Sequence, residues 1–215
     1  MSAVRSDAMP GALLLLADSQ LLFRGDAAPQ LQQWISARFP RGLEAAYLGA
    51  ANGNDPVFFE LACAGINRLL RLPSQRPCPT HWVRDSNALP PPCALVLLAG
   101  GSVAQGWHLI SQPPVRAWLQ RCRDLSGSLV IGISAGAIHL ANGVDPEQPG
   151  LGSQSFLGWL PYHVAVHEES TGWPSLVAEP GIGIPFGSGA WIESDNLEHV
   201  CALGRAPLVR RGGSC

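Results

Sequence analysis

The sequence contains no lysine, and arginine supplies all 14 of its basic residues. We attribute this bias to a GC-rich genome rather than to function. Only 14% of the residues are charged, and the formal net charge is -2. The chain therefore lacks the broad basic surface that binds nucleic acid, and we expect no nucleic-acid partner.

Long apolar runs and paired cysteines are missing as well. The apolar run at residues 12–17 is too short to span a bilayer, and no basic segment typical of a signal peptide precedes it. The six cysteines are scattered without a C-x-x-C pair, which argues against a zinc site or a disulfide framework. These absences predict a reduced, cytoplasmic protein without membrane contact, metal ion or cofactor.

Apolar residues are abundant, at 47% of the chain, and are sufficient to fill the core of a globular domain. The length predicts one α/β domain over residues 1–215, with residues 1–11 as a flexible N-terminal tail. No linker and no internal repeat interrupts the sequence. We leave a homodimer open as the oligomeric state.

Buried strands alternate with helices through the first 133 residues. Short continuous apolar runs predict strands at 13–16, 43–50, 93–101 and 128–133, with a further short strand at 81–84. Helices are predicted from a cap at Asp26 to Phe39, after Asp55-Pro56, and over 113–125. This alternation predicts a three-layer α/β/α sandwich around a mostly parallel, doubly wound sheet.

Two segments carry more specific expectations. The helix after Asp55-Pro56 has an apolar stripe at helical spacing, formed by Phe58, Ala62, Ile66 and Leu69. Beyond residue 150, short apolar runs between glycine, proline and aspartate turns predict more strands, partly antiparallel, which close one side of the sheet.

Ligand sites in sheets of this class lie beyond the carboxyl ends of the strands. Three features of the sequence fall there: the turn at 50–55, the pair Gly100-Gly101, and Ser134. We expect these three features to lie close together.

Ser134 stands in the stretch VIGISAGAIHL, where a strand passes into a helix. A Gly-x-Ser-x-Gly segment at such a place has two interpretations. It is a tight turn that needs small residues, or it holds a serine hydroxyl at the edge of the sheet as a nucleophile. A nucleophile also requires a base and donors for the oxyanion.

The best candidates for the base are His163 and His167 in the run YHVAVHEE, where strand alternation puts both on one face. His167 stands at the end of the strand, where a loop can bring it to the site. A half-buried strand histidine is the structural alternative, and packing or surface exposure is expected for His139. His167 follows Ser134 by only 33 residues, which is too short for an α/β-hydrolase.

Several segments together resemble the dipeptidase E and cyanophycinase family of serine peptidases, which has the class I glutamine amidotransferase-like fold. The segments are GISAGAIHLA, LGWLPYHVAVH and GIGIPFGSGAWIE, with AYLGAANGNDPVFF and LVLLAGG before them. The resemblance extends over residues 12–203 and rests on the order and spacing of these motifs.

The resemblance implies a catalytic set. Ser134 is the expected nucleophile and His167 the expected base, while Gly100 and the N–H groups of Gly101 and Ala135 form the oxyanion and substrate site. The third member of the triad is expected between serine and histidine. Asp145 is our choice, with Glu147 or Glu168 as alternatives.

The chain also departs from the family. Ser102 follows the glycine pair where Asn, Asp or Gln is common, and Phe186 occupies an acidic position of the family. Residues 135–204 contain no arginine but eight acids, namely Asp145, Glu147, Glu168, Glu169, Glu179, Glu193, Asp195 and Glu198. An aspartyl side chain needs a cation, for which Arg84 is the candidate, so strict Asp-Xaa specificity is not expected.

The sequence thus predicts a serine peptidase without a cofactor that attacks a short peptide or amide next to a free terminus. Acids near the site would pair with an α-ammonium group. The alternative is a catalytically silent peptide-binding or regulatory protein that keeps the fold, because fold alone does not fix function.

Overall fold

The polypeptide alternates strands and helices up to residue 139 and forms mainly short strands after it. The computed structural model describes residues 11–23, 29–39, 43–71, 76–193, 199–204 and 206–211. The helices are α1 (Gln20–Phe23), α2 (Pro29–Arg38), α3 (Pro56–Leu69), α4 (Val103–Ile110), α5 (Pro113–Arg123) and α6 (Ala135–His139). The strands are β1 (Ala12–Leu16), β2 (Ala45–Leu48), β3 (Thr80–Val83), β4 (Leu95–Leu98), β5 (Leu129–Ile133), β6 (Asn142–Val144), β7 (Ser153–Ser155), β8 (His163–Val166), β9 (Gly181–Ile184), β10 (Ser188–Ile192), β11 (Cys201–Gly204) and β12 (Val209–Arg211).

Some sequence predictions fall outside the described residues. These are positions 1–10 of the expected N-terminal tail, the helix cap Asp26, and two of the eight acids, Asp195 and Glu198. Within the described parts of the chain, no helix has both the length and the apolar character needed to cross a membrane.

A seven-stranded sheet organises the fold, in the order β11-β10-β1-β5-β4-β2-β3. Five neighbouring strands of this sheet, β1, β5, β4, β2 and β3, are parallel to one another. The two remaining strands extend the sheet beyond β1, where β10 pairs antiparallel with β1 and β11 antiparallel with β10. The predicted mostly parallel sheet is therefore confirmed.

The central strands are apolar at every position because helices cover both faces of the sheet. In β1, Leu13 and Leu15 join the core formed with α4, α5 and α6. The alternate residues Leu14 and Leu16 join the core formed with α1, α2 and α3. This alternation gives the three-layer α/β/α arrangement that the sequence predicted.

The strands after residue 150 differ from the prediction that they close one side of the central sheet. Only β10 and β11 do so, whereas β8 and β9 belong to a second sheet in the order β12-β9-β8-β6-β7. Val164 and Ile182 of this second sheet pack into the same core as α4 to α6. The second sheet therefore covers that side of the molecule.

Helix α3 begins as the sequence predicted, because the Asp55 carboxylate accepts a hydrogen bond of 2.8 Å from Val57 N and Pro56 occupies the first turn. The expected apolar stripe is only partly buried. Ala62, Ile66 and Leu69 lie in the core, but Phe58 is 49% exposed and lines a cavity instead.

Helix α4 was not predicted, since Gly106 in its middle lowers the helix propensity of the segment. The glycine has a packing role. A Cβ atom at Gly106 would lie 2.4 Å from Cε1 of His139, so only glycine lets this ring approach α4.

His139 on α6 is fully buried, which confirms packing rather than surface exposure. Its Nε2–H donates to the Val103 carbonyl oxygen at 2.8 Å, and its ring packs against Trp107 and Phe156. Burial disfavours the charged imidazolium and lowers the pKa of His139 to about 4. The ring is therefore neutral where it joins α6 to α4.

This depressed pKa makes stability depend on pH. The unfolded chain takes up a proton on His139 near its ordinary pKa of about 6.5, whereas the folded chain resists protonation until about pH 4. As the pH falls through this window, we expect His139 to lower the free energy of unfolding by up to about 3 kcal/mol. In His139→Gln this part of the pH dependence should be absent from urea unfolding curves at pH 7, 5.5 and 4.5.

The exposed His108 provides the matched control. His108→Gln should follow the wild-type pH dependence. An unchanged pH dependence in His139→Gln would contradict the assignment.

Candidate active site

Ser134 links the end of β5 to the first residue of α6 in a strained backbone conformation, with φ 51° and ψ -112°. Such angles are uncommon for a residue with a side chain, cost of order 1–3 kcal/mol, and cluster at functional sites. The Ser134 N–H donates to the Leu16 carbonyl oxygen at 2.8 Å, and its own carbonyl oxygen accepts from Ala137 N at 2.9 Å. These bonds fix the residue between β1 and α6, and Ser134 remains partly exposed.

The small residues around Ser134 are required by close backbone contacts. A Cβ atom at Gly132 would lie 2.5 Å from the Gly136 carbonyl oxygen, and one at Gly136 would lie 2.3 Å from the Leu98 carbonyl oxygen. The turn therefore packs backbone against backbone. Only glycine fits at either position of this turn.

The glycine pair after β4 lies directly beside Ser134. A Cβ atom at Gly100 would be 3.2 Å from Ser134 Cβ. Gly101 has φ 134°, and a Cβ atom there would be 2.1 Å from the Ala51 carbonyl oxygen, in the turn after β2. Of the three features expected at the carboxyl ends of the strands, the glycine pair thus contacts each of the other two.

Two backbone N–H groups come directly after the residues in this contact: that of Gly101 follows Gly100, and that of Ala135 follows Ser134. Neither donates a hydrogen bond to any acceptor in the described parts of the chain. Ala135 is only 1% exposed, and a buried N–H without a partner is rare in folded proteins. Gly101 is exposed, so its N–H is accessible, and two donors of this kind beside a serine can bind a developing negative charge.

His167 follows β8 and is exposed, with φ 61°. The centroid of its ring lies 5.8 Å from that of the Phe186 ring. The backbone N–H of His167 donates to the Ile184 carbonyl oxygen at 3.4 Å. The histidine therefore belongs to the loops that follow β8 and β9.

Asp18, which the sequence analysis missed, connects these loops to the neighbourhood of Ser134. Its carboxylate accepts from Gly187 N at 2.6 Å and from Gln20 N at 2.8 Å. Asp18 lies two residues after Leu16, the backbone partner of Ser134. Its position at the end of β1 is a signal that would have singled it out.

No hydrogen bond joins Ser134 to His167 in the described parts of the chain, where the ring contact of His167 is with Phe186. Catalytic hydrogen bonds are often long or misaligned until substrate binds, so this geometry alone does not exclude the pair. Their roles as nucleophile and base stay predictions.

Asp145 is 2% exposed, and its carboxylate interacts within its own turn. It accepts from Glu147 N at 2.9 Å and from Gln148 Nε2 at 3.5 Å. It also lies close enough to raise the pKa of His139 slightly against the larger effect of burial. Within the residues described, Asp145 makes no hydrogen bond to His167.

The two alternative acids have other partners. Glu147 accepts from Ser102 Oγ at 2.7 Å, which attaches it to the residue after the glycine pair. Glu168 accepts from both the N–H and the hydroxyl of Ser175. Glu147 is thus the alternative acid that is anchored beside the glycine turn.

A second serine–histidine pair, not predicted, holds the loop around His167. Ser153 Oγ donates to His163 Nε2 at 2.8 Å, and His163 Nδ1–H donates to the Ser175 carbonyl oxygen at 3.5 Å. Because Ser175 also binds Glu168, this network fixes the segment after His167. Ser153 lies in the extended strand β7, whereas Ser134 lies in a strained turn.

Two cavities lie near this end of the sheet. One, of about 440 Å³, includes Gly100, Gly101 and Ile133 in its wall. The other, of about 690 Å³, is more polar and contains Arg84, whose guanidinium lies 3.8 Å from the centre of the Trp82 ring. Arg84 does not line the cavity at the glycine pair. No group of three or more His, Cys, Asp or Glu in the described residues has the arrangement needed for a metal ion.

The sequence matches no protein-family model and no curated protein. Its fold, however, is shared with solved structures. A peptidase from an acI-B1 Actinobacterium superposes with a TM-score of 0.64 at 16% identity, over 96% of each chain. A protein assigned as peptidase E from Listeria monocytogenes EGD-e superposes with a TM-score of 0.57 at 14% identity, over 93% of this chain and 100% of the other. The protein therefore has the peptidase E-like fold that its sequence motifs predicted.

Proposed function

We propose that the protein is a serine hydrolase that cleaves a peptide or amide bond of a short peptide near a free terminus. The observation that carries this proposal is the strained Ser134 beside Gly100, together with the N–H groups of Gly101 and Ala135, which have no hydrogen-bond partner among the described residues. The likeness in fold to two proteins named as peptidases supports it.

In this proposal Ser134 Oγ attacks the carbonyl carbon while His167 accepts its proton. The negative charge on the carbonyl oxygen is stabilised by the N–H groups of Gly101 and Ala135. His167 then gives the proton to the leaving amine as the carbon–nitrogen bond breaks. A water molecule, deprotonated by His167, releases the acyl group from Ser134.

Acidic residues near the site support recognition of a free α-amino group. Residues 135–204 carry eight acids and no basic arginine or lysine. Among them, Glu147 is held beside the glycine turn by its hydrogen bond from Ser102. A carboxylate at this place would pair with an α-ammonium group.

A cytoplasmic location belongs to the proposal as well. The five cysteines in the described residues, Cys63, Cys78, Cys93, Cys122 and Cys201, are free thiols. Unpaired cysteines are typical of proteins in reducing compartments.

The second candidate is a peptide-binding or regulatory protein without catalysis. The observation that favours it is that the His167 ring makes no hydrogen bond to a carboxylate in the described parts of the chain. A base without such a partner is less well held in the tautomer that accepts a proton.

The Ser134→Ala substitution tests the nucleophile. We expect a fluorophosphonate probe to label the wild type and not this variant, and we expect peptide hydrolysis to fall by about 10⁴- to 10⁶-fold because the acyl-enzyme no longer forms. Circular dichroism should show an unchanged fold.

Ser153→Ala is the matched control, because Ser153 is a serine that hydrogen-bonds a histidine, His163, but lies in an extended strand. It should keep the probe labelling that Ser134→Ala loses. Equal turnover in the wild type and in Ser134→Ala would contradict the assignment of Ser134 as the nucleophile. Peptide binding by a wild-type protein that the probe does not label would favour the peptide-binding or regulatory protein without catalysis.

The third catalytic residue is tested with Asp145→Asn. Asparagine can still accept the hydrogen bond from Glu147 N, so the turn should survive. If Asp145 turns to His167 when substrate binds, kcat should fall by about 10³- to 10⁴-fold with an unchanged melting temperature.

Glu147→Gln and Glu168→Gln are measured in parallel. Full activity of Asp145→Asn would mean that the site is a Ser-His dyad or uses another acid. A loss confined to Glu147→Gln would identify that acid.

Recognition of the terminus is tested on the substrate. N-acetylation removes the positive charge of the α-amino group, and the lost charged hydrogen bond should lower kcat/KM by an amount worth about 1–3 kcal/mol. The measurement compares each peptide with its acetylated form at one pH. Indifference to acetylation would refute recognition of the amine.

A further inference from the structure

The smaller cavity near the glycine pair has an apolar wall. It has a volume of about 440 Å³ and lies between α1, α3 and the carboxyl ends of β2, β4 and β5. Its apolar lining includes Leu22, Phe23, Phe58, Leu61, Leu97 and Ile133. No charged side chain from the described residues contributes to the lining. The Tyr47 hydroxyl on the wall accepts a hydrogen bond from Asn52 Nδ2 at 2.7 Å.

Two large apolar side chains remain exposed where α3 borders this cavity. Phe58 is 49% exposed and Leu61 is 47% exposed, whereas Ala62, Ile66 and Leu69 of the same helix are buried. Exposed apolar surface beside a cavity is typical of a ligand site.

The cavity is continuous with the candidate active site. Gly100 and Gly101 line it, and Gly100 stands against Ser134, since a Cβ atom added at Gly100 would be 3.2 Å from Ser134 Cβ. Ile133, the residue before Ser134, forms another part of the wall. A carbonyl group bound between Ser134 and the Gly101 N–H would therefore place its nearest substituent at the cavity.

We propose that this cavity binds a large apolar side chain, aromatic or branched aliphatic, of the residue on the acyl side of the bond to be cleaved. The inference rests on the proposed function, because it takes Ser134 as the nucleophile. The side chain of the acyl residue leaves the chain one bond from the reacting carbonyl carbon. The leaving-group side chain is further from the glycine pair, so the acyl side fits the cavity better.

An acidic side chain is the alternative occupant, and it does not fit this lining. Among the described residues of this lining, a carboxylate would lose its hydration beside apolar side chains without gaining a cation. The candidate cation, Arg84, lines the other cavity and stacks on Trp82. The volume suits one large apolar side chain with part of its backbone.

The first experiment varies the acyl residue while the leaving group stays constant. Amino-acid 4-nitroanilides with Phe, Leu, Ala and Asp are compared by kcat/KM. The Phe and Leu compounds should exceed the Ala and Asp compounds by about 10- to 100-fold, the factor expected from burial of a large apolar side chain. Dipeptides that vary only in the leaving residue should differ less.

The second experiment places a positive charge at the cavity. Leu61→Arg should lower kcat/KM for the Phe compound by at least about tenfold and raise that for the Asp compound. Val57→Arg is the matched control, because Val57 is on the same helix, is 60% exposed and does not line the cavity. This control should retain the wild-type order of substrates.

Fluorophosphonate labelling of Ser134 distinguishes a failure of the cavity assignment from a failure of the proposed hydrolase function. If Ser134 is labelled but the Asp compound is preferred, or all four compounds are equal, the cavity assignment is overturned while the hydrolase remains. If there is neither labelling nor hydrolysis, the proposed function fails, and calorimetry with Phe-Ala and Asp-Ala decides on the cavity. Selective binding of Phe-Ala that Leu61→Arg weakens would support the assignment, and equal or absent binding would overturn it.

Discussion

Backbone-to-backbone packing at the turn from β5 to α6 is the constraint on which the candidate site depends. The carbonyl oxygens of Gly136 and Leu98 occupy the places where Cβ atoms of Gly132 and Gly136 would stand. Helix α6 can therefore pack closely against β4 and β5, and Ser134 takes the strained conformation between the two glycines. A larger residue at either glycine would move α6 and with it the serine.

The parallel sheet carries this constraint to the neighbouring strands. Because β5, β4 and β2 run side by side, the turns after them meet at one edge of the sheet. Gly100 approaches Ser134, and Gly101 approaches Ala51 in the turn after β2. The Gly101 N–H, which has no hydrogen-bond partner in the described residues, is positioned by the alignment of the parallel strands β2, β4 and β5. The Ala135 N–H is positioned by the turn from β5 to α6.

Short-range sequence patterns predicted the central strands and the turn at Ser134, but they did not predict helix α4 or the short strands β6 and β7. The apolar strands and the glycine-flanked Ser134 were predictable, because a buried strand and a tight turn restrict residue types directly. Helix α4 was hidden by Gly106, which serves contact with His139 rather than helix stability. Strands β6 and β7 have only three residues each, too few for a visible alternation. Helical spacing put Phe58 in one apolar stripe with Ala62, Ile66 and Leu69, but spacing does not distinguish a core from a cavity, and Phe58 lines the cavity.

The sequence also did not predict which groups donate hydrogen bonds to the acidic side chains. These donors matter because an oxyanion at Ser134 would add a negative charge to a segment rich in carboxylates. Unpaired carboxylates near the oxyanion position would oppose its formation. In the structure three of the nearby acids accept backbone hydrogen bonds: Asp145 from Glu147 N, Glu168 from Ser175 N and Glu169 from Phe186 N. These bonds spread part of each negative charge onto N–H dipoles.

Beside Gly100 and Ile133 lies the cavity, whose lining carries no charged side chain from the described residues, and a bound apolar group there would exclude water from the turn at Ser134. Removing water strengthens the attraction between an oxyanion and the N–H groups of Gly101 and Ala135. The turn at Ser134 thus adjoins an apolar cavity, and it is followed in the chain by a segment in which Asp145, Glu168 and Glu169 accept backbone hydrogen bonds. A substrate that carries both an apolar side chain and a positive terminus would match both the cavity and this segment, which a purely apolar or purely acidic ligand would not.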